Sequence, residues 1–159
     1  MISTPPRTVF EADFTTALCQ IFEEHISFNK VLGLRVTGLE AQAAEAAVAM
    51  RPELIGHFAH QRMHGGVISA TLDALGGLAV MAAIGDRHRE EPPATRLQRF
   101  NKLGTIDLRV DYLRPAIGER FRARAEVLRL GSRVASTRME FMDDQGRLLS
   151  TGSAAYMVS

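Results

Sequence analysis

Residues 64–73 combine two adjacent glycines with an acid in an otherwise apolar stretch, a combination that could support catalysis at a carbonyl group. Gly65 and Gly66 stand at the predicted start of a long helix, where the first amides lack intrahelical acceptors and lie at the positive end of the helix dipole. Such amides can polarise a carbonyl or stabilise an oxyanion. Asp73 follows about two turns later, roughly 10 Å along the axis at ~1.5 Å per residue. One helix cannot bring both groups to the same carbonyl, whereas two helices lying side by side from two subunits can.

Asp73 has two interpretations that the pattern alone leaves open. Burying an ionised carboxylate without partners is costly, so an acid among aliphatic neighbours needs a reason. It is either a structural residue hydrogen-bonded to sheet amides or a hydroxyl, or a catalytic general base or nucleophile whose basicity its surroundings set.

Other residues that could do chemistry are less well supported. Three histidines lie close together in the sequence, namely His57, His60 and His64. They have no neighbouring cysteine and only distant acids, which disfavours a zinc site. Ser69 and Thr71 lack the glycine pattern of a nucleophile elbow. Cys19, on an amphipathic helix, is interpreted as packing.

The elements that must position these residues follow from periodicity. Apolar residues recur at helical spacing from Phe14 to Ile26, and Gly33 ends that pattern. From Gly66 to about Ile84 the chain is apolar on nearly all sides, which predicts a helix buried on several sides. Such a helix needs other elements to cover it.

Six strands are predicted, and the short links between them favour antiparallel pairing and an α+β class. They are Leu34–Leu39, Ala46–Met50, Thr105–Tyr112, Arg120–Val127, Val134–Met142 and Leu148–Val158. Strict alternation places Ile106, Leu108, Val110 and Tyr112 on one face of the third of these.

Two connections complete the pattern. Residues 52–63 are interpreted as a polar connection. The longer connection, 86–104, is expected to contain a short helix at Thr95–Asn101, with its Arg and Lys residues on a solvated surface.

Composition excludes several classes of protein. The chain has 159 residues, 46% of them hydrophobic, with a net charge of +1 and one cysteine. This balance fits one globular domain and argues against a general nucleic-acid binder and a disulfide framework. The glycines and the acid within residues 66–84 favour a buried helix over a membrane span. A thiol without a disulfide partner fits a cytoplasmic location.

Two segments resemble the hotdog-fold acyl-CoA thioesterases, and within them the PaaI-like branch named for phenylacetic acid degradation. The first is His-Gly-Gly with an acid nine residues after the histidine; the second is Thr105–Ala116, which is similar to the family's strand ending in Tyr-x-x-Pro-Ala. The resemblance runs from about Leu32 to Val158. It implies a curved antiparallel sheet wrapped around the central helix in a single domain of residues 1–159, with residues 1–30 as a helical extension. It also implies homodimers or homotetramers with active sites between subunits.

The resemblance assigns roles to the motif residues. It places the catalytic acid at Asp73 and the carbonyl-polarising amide at Gly65, with Gly66 beside it. His64 is expected to shape the turn, and Thr105 to hold the water near the acid. Where relatives often carry Asn or Gln before the motif histidine, this chain has His57 and Phe58, so His57 is the substitute donor to the substrate.

Contacts with CoA are carried over to a basic turn. Arg129, Ser132 and Arg133 resemble the residues that meet the CoA phosphates, and a solvated hairpin is the alternative interpretation. CoA is part of the substrate, so neither a cofactor nor a metal is expected, and neither a P-loop nor a dinucleotide motif is present in the sequence.

The predicted function is hydrolysis of acyl-CoA thioesters, with medium or long aliphatic chains favoured by the aliphatic helix. Alternatives are a hotdog dehydratase or hydratase and a non-catalytic acyl-CoA binder or sensor, because fold does not dictate function.

Overall fold

The computed structural model describes residues 5–159. These residues contain four α-helices and nine β-strands. The helices are α1 (Ala12–Gln20), α2 (Ser27–Leu32), α3 (Gly65–Arg87) and α4 (Pro93–Gln98). The strands are β1 (Arg7–Thr8), β2 (Arg35–Glu40), β3 (Ala43–Ala49), β4 (Ile55–His57), β5 (Arg62–Met63), β6 (Gly104–Tyr112), β7 (Arg120–Leu130), β8 (Val134–Asp143) and β9 (Leu148–Met157).

Seven strands form one sheet in the order β1-β2-β3-β7-β8-β9-β6. All neighbours pair antiparallel except β1 and β2, whose two-residue contact is parallel. The central helix α3 packs against this sheet and supplies much of the hydrophobic core. The predicted α+β architecture of a long helix against an antiparallel sheet is therefore confirmed.

Helix α3 is long and apolar enough to cross a membrane, yet 72% of its apolar window is buried inside the protein. Its residues from Leu75 to Gly85 are continuously buried. An apolar helix covered on several sides is stabilised by the hydrophobic effect of that burial, which identifies α3 as a core helix.

One predicted strand begins earlier than expected, and one short hairpin was not predicted. Strand β3 begins at Ala43, so the turn before it is shorter than the pattern indicated. Alanine has weak strand propensity, and pairing with β2 on one side and β7 on the other overrides it. The connection at residues 52–63 also contains the small antiparallel hairpin of β4 and β5. Strands of two and three residues are too short to leave a periodic signal.

The first helical pattern is interrupted where a continuous helix was expected. A π-helical turn at Ile21–His25 follows α1, and Ile26 is extended with ψ 99°. The Asn29 side chain donates a 2.8 Å hydrogen bond to the Phe22 carbonyl and so satisfies a group that the break exposes.

The long connection is more ordered than its charge suggested. Helix α4 starts at Pro93, where proline's missing N–H costs nothing, and a 3₁₀ turn at Arg99–Lys102 follows it. The expectation of a solvated surface is wrong for Arg96, whose side chain is 1% exposed. Arg96 pairs with Glu11, donates to the Gly85 carbonyl at 3.2 Å and lies over the Phe14 ring. The charge is retained there because Glu11, just before α1, and the Gly85 carbonyl of α3 are its partners.

Candidate active site

Asp73 and Thr105 form the central contact of the candidate site. The Thr105 hydroxyl donates a 2.8 Å hydrogen bond to Asp73 Oδ1. Asp73 is half-buried on α3, and Thr105 lies near the start of β6. A single hydroxyl therefore holds one carboxylate oxygen in place, while the carboxylate retains capacity to accept further hydrogen bonds.

A β-bulge orients Thr105. The register between β6 and β9 shifts between Thr105 and Asp107, so Ile106 is the extra residue and its side chain is 57% exposed. A bulge interrupts the alternation of a strand and redirects the side chains on either side of it. The prediction that side chains alternate strictly from Thr105 through Ile106 was therefore wrong. The bulge lies directly after Thr105, the residue that contacts Asp73.

Tyr156, on β9, holds the backbone of the same helical turn. Its hydroxyl donates a 2.8 Å hydrogen bond to the Asp73 carbonyl, and in the sheet register it lies opposite Thr105. Burial, with the nearby Asp73 carboxylate as the second cause, raises the pKa of Tyr156 well above its ordinary value. The hydroxyl is therefore a neutral donor at any physiological pH.

Tyr156 fits against α3 because Gly76 has no side chain. A Cβ atom at Gly76 would lie 2.1 Å from the Tyr156 hydroxyl oxygen. The close packing of Tyr156 on α3 therefore requires glycine at position 76. Tyr156 was not predicted as a site residue from the sequence. The signal that could have identified it is a tyrosine in a strand that packs on a helix containing adjacent glycines.

The amino end of α3 presents one amide to its surroundings. Within residues 5–159, the Gly65 N–H has no intramolecular hydrogen-bond acceptor. Gly66 N–H instead donates to His64 Nδ1 at 2.8 Å, so the histidine caps the helix. Tyr112 donates a 2.8 Å hydrogen bond to the Gly65 carbonyl and fixes this turn against β6. Gly65 is thus the better placed of the two glycines to donate to a substrate.

A cavity of about 420 Å³ adjoins Gly65, lined also by Arg62, Ile68, Tyr112 and Arg114. The two arginines line the same cavity as Gly65, so the charge of this cavity favours an anionic group. Neither arginine was identified from the sequence, where each is one of many scattered charges.

His57 lies apart from this cavity. It belongs to β4, pairs with Arg62 of β5 and stacks on His60 with ring centroids 4.7 Å apart. Its Nδ1 atom is buried, and no hydrogen-bond partner for it exists among the described residues.

Across residues 5–159, no three His, Cys, Asp or Glu side chains are grouped so as to hold a metal ion.

A second cavity, of about 220 Å³, adjoins Asp73 and Thr105. Its apolar walls come from the segment between α1 and α2, from α3 and from the 3₁₀ turn, including Phe22, Ile26, Gly77 and Phe100. A half-buried carboxylate at the edge of an apolar cavity can act as a base or nucleophile toward a bound apolar ester.

The three residues of the basic turn do not share one cavity. Ser132 lines a cavity of about 640 Å³ together with Arg87 and Lys102, whereas Arg129 lines a separate hollow. Arg133 is exposed, and its carbonyl accepts a hydrogen bond from Val158 N–H. The Arg87 side chain donates to the carbonyls of Leu130 and Gly131, and this contact holds the turn against the end of α3.

Cys19 is unsuited to nucleophilic chemistry. Burial, and secondarily the charge on Glu23, raises the pKa of its thiol to about 11. The reactive thiolate is therefore scarce at neutral pH.

Comparison with known proteins identifies the family. The sequence pattern of the thioesterase superfamily matches residues 60–150. The medium/long-chain acyl-CoA thioesterase YigI of Escherichia coli (strain K12) is 38% identical over 139 residues, which is 87% of this chain and 90% of YigI.

Solved structures agree with the sequence comparison. A protein from Shewanella oneidensis related to the thioesterase superfamily has a TM-score of 0.86 at 38% identity, over 93% of this chain and 97% of the other. A phenylacetic acid degradation-related protein from Ralstonia eutropha JMP134, at 22% identity, shares the fold with a TM-score of 0.69 over 89% and 98% of the two chains. The hotdog resemblance predicted from the sequence is confirmed, and the chain belongs to the thioesterase superfamily.

Proposed function

We propose that this protein hydrolyses acyl-CoA thioesters to CoA and a free carboxylic acid. The observation that carries the proposal is the Asp73 carboxylate, held by Thr105 at 2.8 Å beside an apolar cavity. The similarity to YigI, whose name states an acyl-CoA thioesterase activity, supports the choice of substrate class.

In the proposed reaction, Asp73 either takes a proton from a water molecule that attacks the thioester carbonyl or attacks that carbonyl itself to give a mixed anhydride. On either route the C–S bond breaks and CoA leaves as the thiolate, which takes up the proton that the attacking water loses. On the second route that water attacks the mixed anhydride, which releases the free carboxylic acid and regenerates the Asp73 carboxylate. Thr105 orients the carboxylate through one oxygen and leaves the other to face the substrate. The Gly65 amide stabilises the oxyanion that develops on the carbonyl oxygen. His64 maintains the turn that presents this amide.

The proposed active site lies between two subunits of a homodimer or homotetramer. Gly65 and Asp73 line different cavities about two turns apart on α3. Strand β6 is the last strand of the sheet, and its apolar residues Ile106 and Tyr112 are more than half exposed. An edge strand with exposed apolar side chains favours association with another copy. A second α3 helix would place one subunit's Gly65 near the other's Asp73.

We also propose a cytoplasmic location, which a thiol without a disulfide partner fits.

For the rest of the substrate, we propose that the CoA phosphates meet the basic turn. Ser132 shares its cavity with the cationic side chains of Arg87 and Lys102, and Arg129 and Arg133 lie on the neighbouring surface. These charges complement phosphate groups. For the acyl group, medium or long aliphatic chains are favoured by the apolar walls beside Asp73 and by the name of YigI.

The test is Asp73→Asn, which keeps the shape of the side chain and removes its basicity. We expect thiol release from acyl-CoA to fall at least ~100-fold, because the step loses its base or nucleophile. Wild-type protein and variant are compared by a thiol-release assay across acyl-CoAs of different length and aromatic content. Asp144→Asn, in an exposed turn, removes an equivalent charge elsewhere and is the matched control, with unchanged activity expected.

Three outcomes would contradict the proposal. Near wild-type hydrolysis by folded Asp73→Asn protein would remove Asp73 from the mechanism. Tight binding of acyl-CoA with no thiol release at any chain length would favour a binder or sensor. A change in enoyl absorbance without thiol release would favour a hydratase or dehydratase.

A further inference from the structure

The cavity beside Asp73 continues along α3 for one further helical turn. Asp73 and Gly77 both line it, and residues four apart lie on the same face of a helix. One turn corresponds to ~5–6 Å along the axis. The polar Asp73–Thr105 pair therefore lines one part of the cavity. One helical turn away, at Gly77, the wall is helix backbone without a side chain.

The two adjacent glycines of α3 have different surroundings. A Cβ atom at Gly76 would collide with Tyr156, as described above. A Cβ atom at Gly77 would lie 3.4 Å from Leu103 and 3.8 Å from both Phe22 and Tyr156, which are ordinary van der Waals distances. All three of those neighbours line the cavity. Packing therefore requires glycine at 76, whereas at 77 the missing side chain leaves cavity space.

The opposite wall is aromatic and comes from segments other than α3 and the sheet. Phe22, in the π-helical turn, is 2% exposed and meets the Phe100 ring edge-on with centroids 5.7 Å apart. Ile26, at the break before α2, also lines the cavity. The N-terminal segment thus closes a space that α3 and the sheet alone would leave open to solvent.

We propose that the acyl chain of the substrate occupies this cavity and that Gly77 is a specificity-determining residue that sets the accepted chain length. The inference rests on the proposed thioesterase function. The thioester carbonyl lies at Asp73, and the alkyl chain extends along α3 over Gly77 toward the Phe22–Phe100 pair. A side chain at position 77 would occupy the space that the distal methylenes need.

The test is Gly77→Ala, assayed by kcat/KM on a series of straight-chain acyl-CoAs. The added methyl group meets no neighbour closer than 3.4 Å, and alanine favours a helix over glycine, so the variant is expected to fold at least as stably as wild type. We expect kcat/KM for the longest accepted chains to fall about fourfold to tenfold, since each methylene that loses its apolar site costs roughly fourfold. Activity on the shortest chains is the internal control and stays near wild type.

Phe100→Ala is the complementary variant, because it removes part of the opposite wall. Its chain-length optimum is expected to shift to longer chains, opposite to that of Gly77→Ala. This second variant keeps the proposal testable if Gly77→Ala fails to fold.

Equal losses on short and long chains, or an unchanged profile in both variants, would overturn the acyl-cavity proposal while leaving the thioesterase function intact. If the wild-type protein releases no thiol from any acyl-CoA, the proposed function fails first. In that case bound acyl-CoA titrated against wild type and Gly77→Ala tests the cavity by affinity: equal affinity for long chains would overturn the proposal.

Discussion

At the scale of single residues, the site depends on groups whose hydrogen-bonding capacity is only partly used. The Gly65 N–H has no intramolecular acceptor among residues 5–159, whereas the next amide is bound by His64. The Asp73 carboxylate is bound at one oxygen by Thr105. An ester-cleaving site needs an available donor and an available acceptor. His64 binds the amide next to Gly65, and Thr105 binds one oxygen of Asp73. The Gly65 N–H and the other Asp73 oxygen are left available.

Gly65→Pro tests the amide donor directly. Proline at the first helical position removes only an N–H without an internal acceptor, and His64 before it is already extended with ψ 134°. We expect a folded protein whose kcat falls about 100-fold, the usual effect of losing one oxyanion donor.

Gly65→Ala is the control for this variant. It adds a Cβ atom at the same place, 3.2 Å from the Tyr112 ring, but retains the N–H. If Gly65→Pro loses no more activity than Gly65→Ala, the amide is not the donor. Circular dichroism and thermal unfolding check that both variants fold.

At the scale of elements, the contact between α3 and β6 is set by β9. Tyr156 binds the Asp73 carbonyl and lies opposite Thr105 in the sheet, so one residue fixes the helix relative to the strand that carries the hydroxyl. The bulge after Thr105 is a second determinant of this contact, since it ends the alternation of side chains between the two faces of β6. Gly76 is the third, because any side chain there would displace Tyr156.

Tyr156→Phe is expected to lower kcat about tenfold with little change in KM, because the ring still packs but the helix loses a hydrogen bond of ~1 kcal/mol at the turn that carries Asp73. Steady-state kinetics and denaturant unfolding measure the two effects.

Thr71→Val is the matched control, since Thr71 is buried on the same helix and its hydroxyl donates to the Val67 carbonyl at 2.8 Å. It should lose comparable stability and keep its kcat. Equal effects of the two variants on kcat would assign Tyr156 to stability alone.

At the scale of the whole molecule, the two halves of the proposed site are separate in one chain. The Gly65 cavity and the Asp73 cavity share no lining residue. The exposed apolar residues of β6 lie on the strand that carries Thr105 at one end and Tyr112 at the other. A second copy that covers this strand would both bury those residues and complete the site.

Mixing Asp73→Asn with Gly65→Pro protein tests this arrangement. In a two-fold symmetric hybrid dimer, one site keeps both intact groups and the other loses both. Random reassociation should therefore recover about a quarter of wild-type activity from two nearly inactive proteins. Co-expressed and separately tagged subunits allow the hybrid to be isolated and its mass measured. An inactive hybrid would place Gly65 and Asp73 of the same chain in one site.

The features of this protein that depend on local pattern could be predicted from its amino-acid sequence. Apolar residues around the whole circumference predicted the central helix, alternation predicted the long strands, and the His-Gly-Gly and Tyr-x-x-Pro-Ala segments indicated the family. These signals are local because hydrogen bonding and burial repeat with the period of the element.

The contacts that join distant segments could not be predicted and became visible in the folded chain. The bulge that orients Thr105, the Tyr156 hydroxyl on the Asp73 turn and the N-terminal wall of the apolar cavity each depend on residues far apart in the chain. Arg96 was expected on a solvated surface, but it pairs with Glu11, which precedes α1, and donates to a carbonyl of α3. Side-chain partners across a fold leave no periodic trace in sequence, because they are set by packing rather than by the geometry of one element.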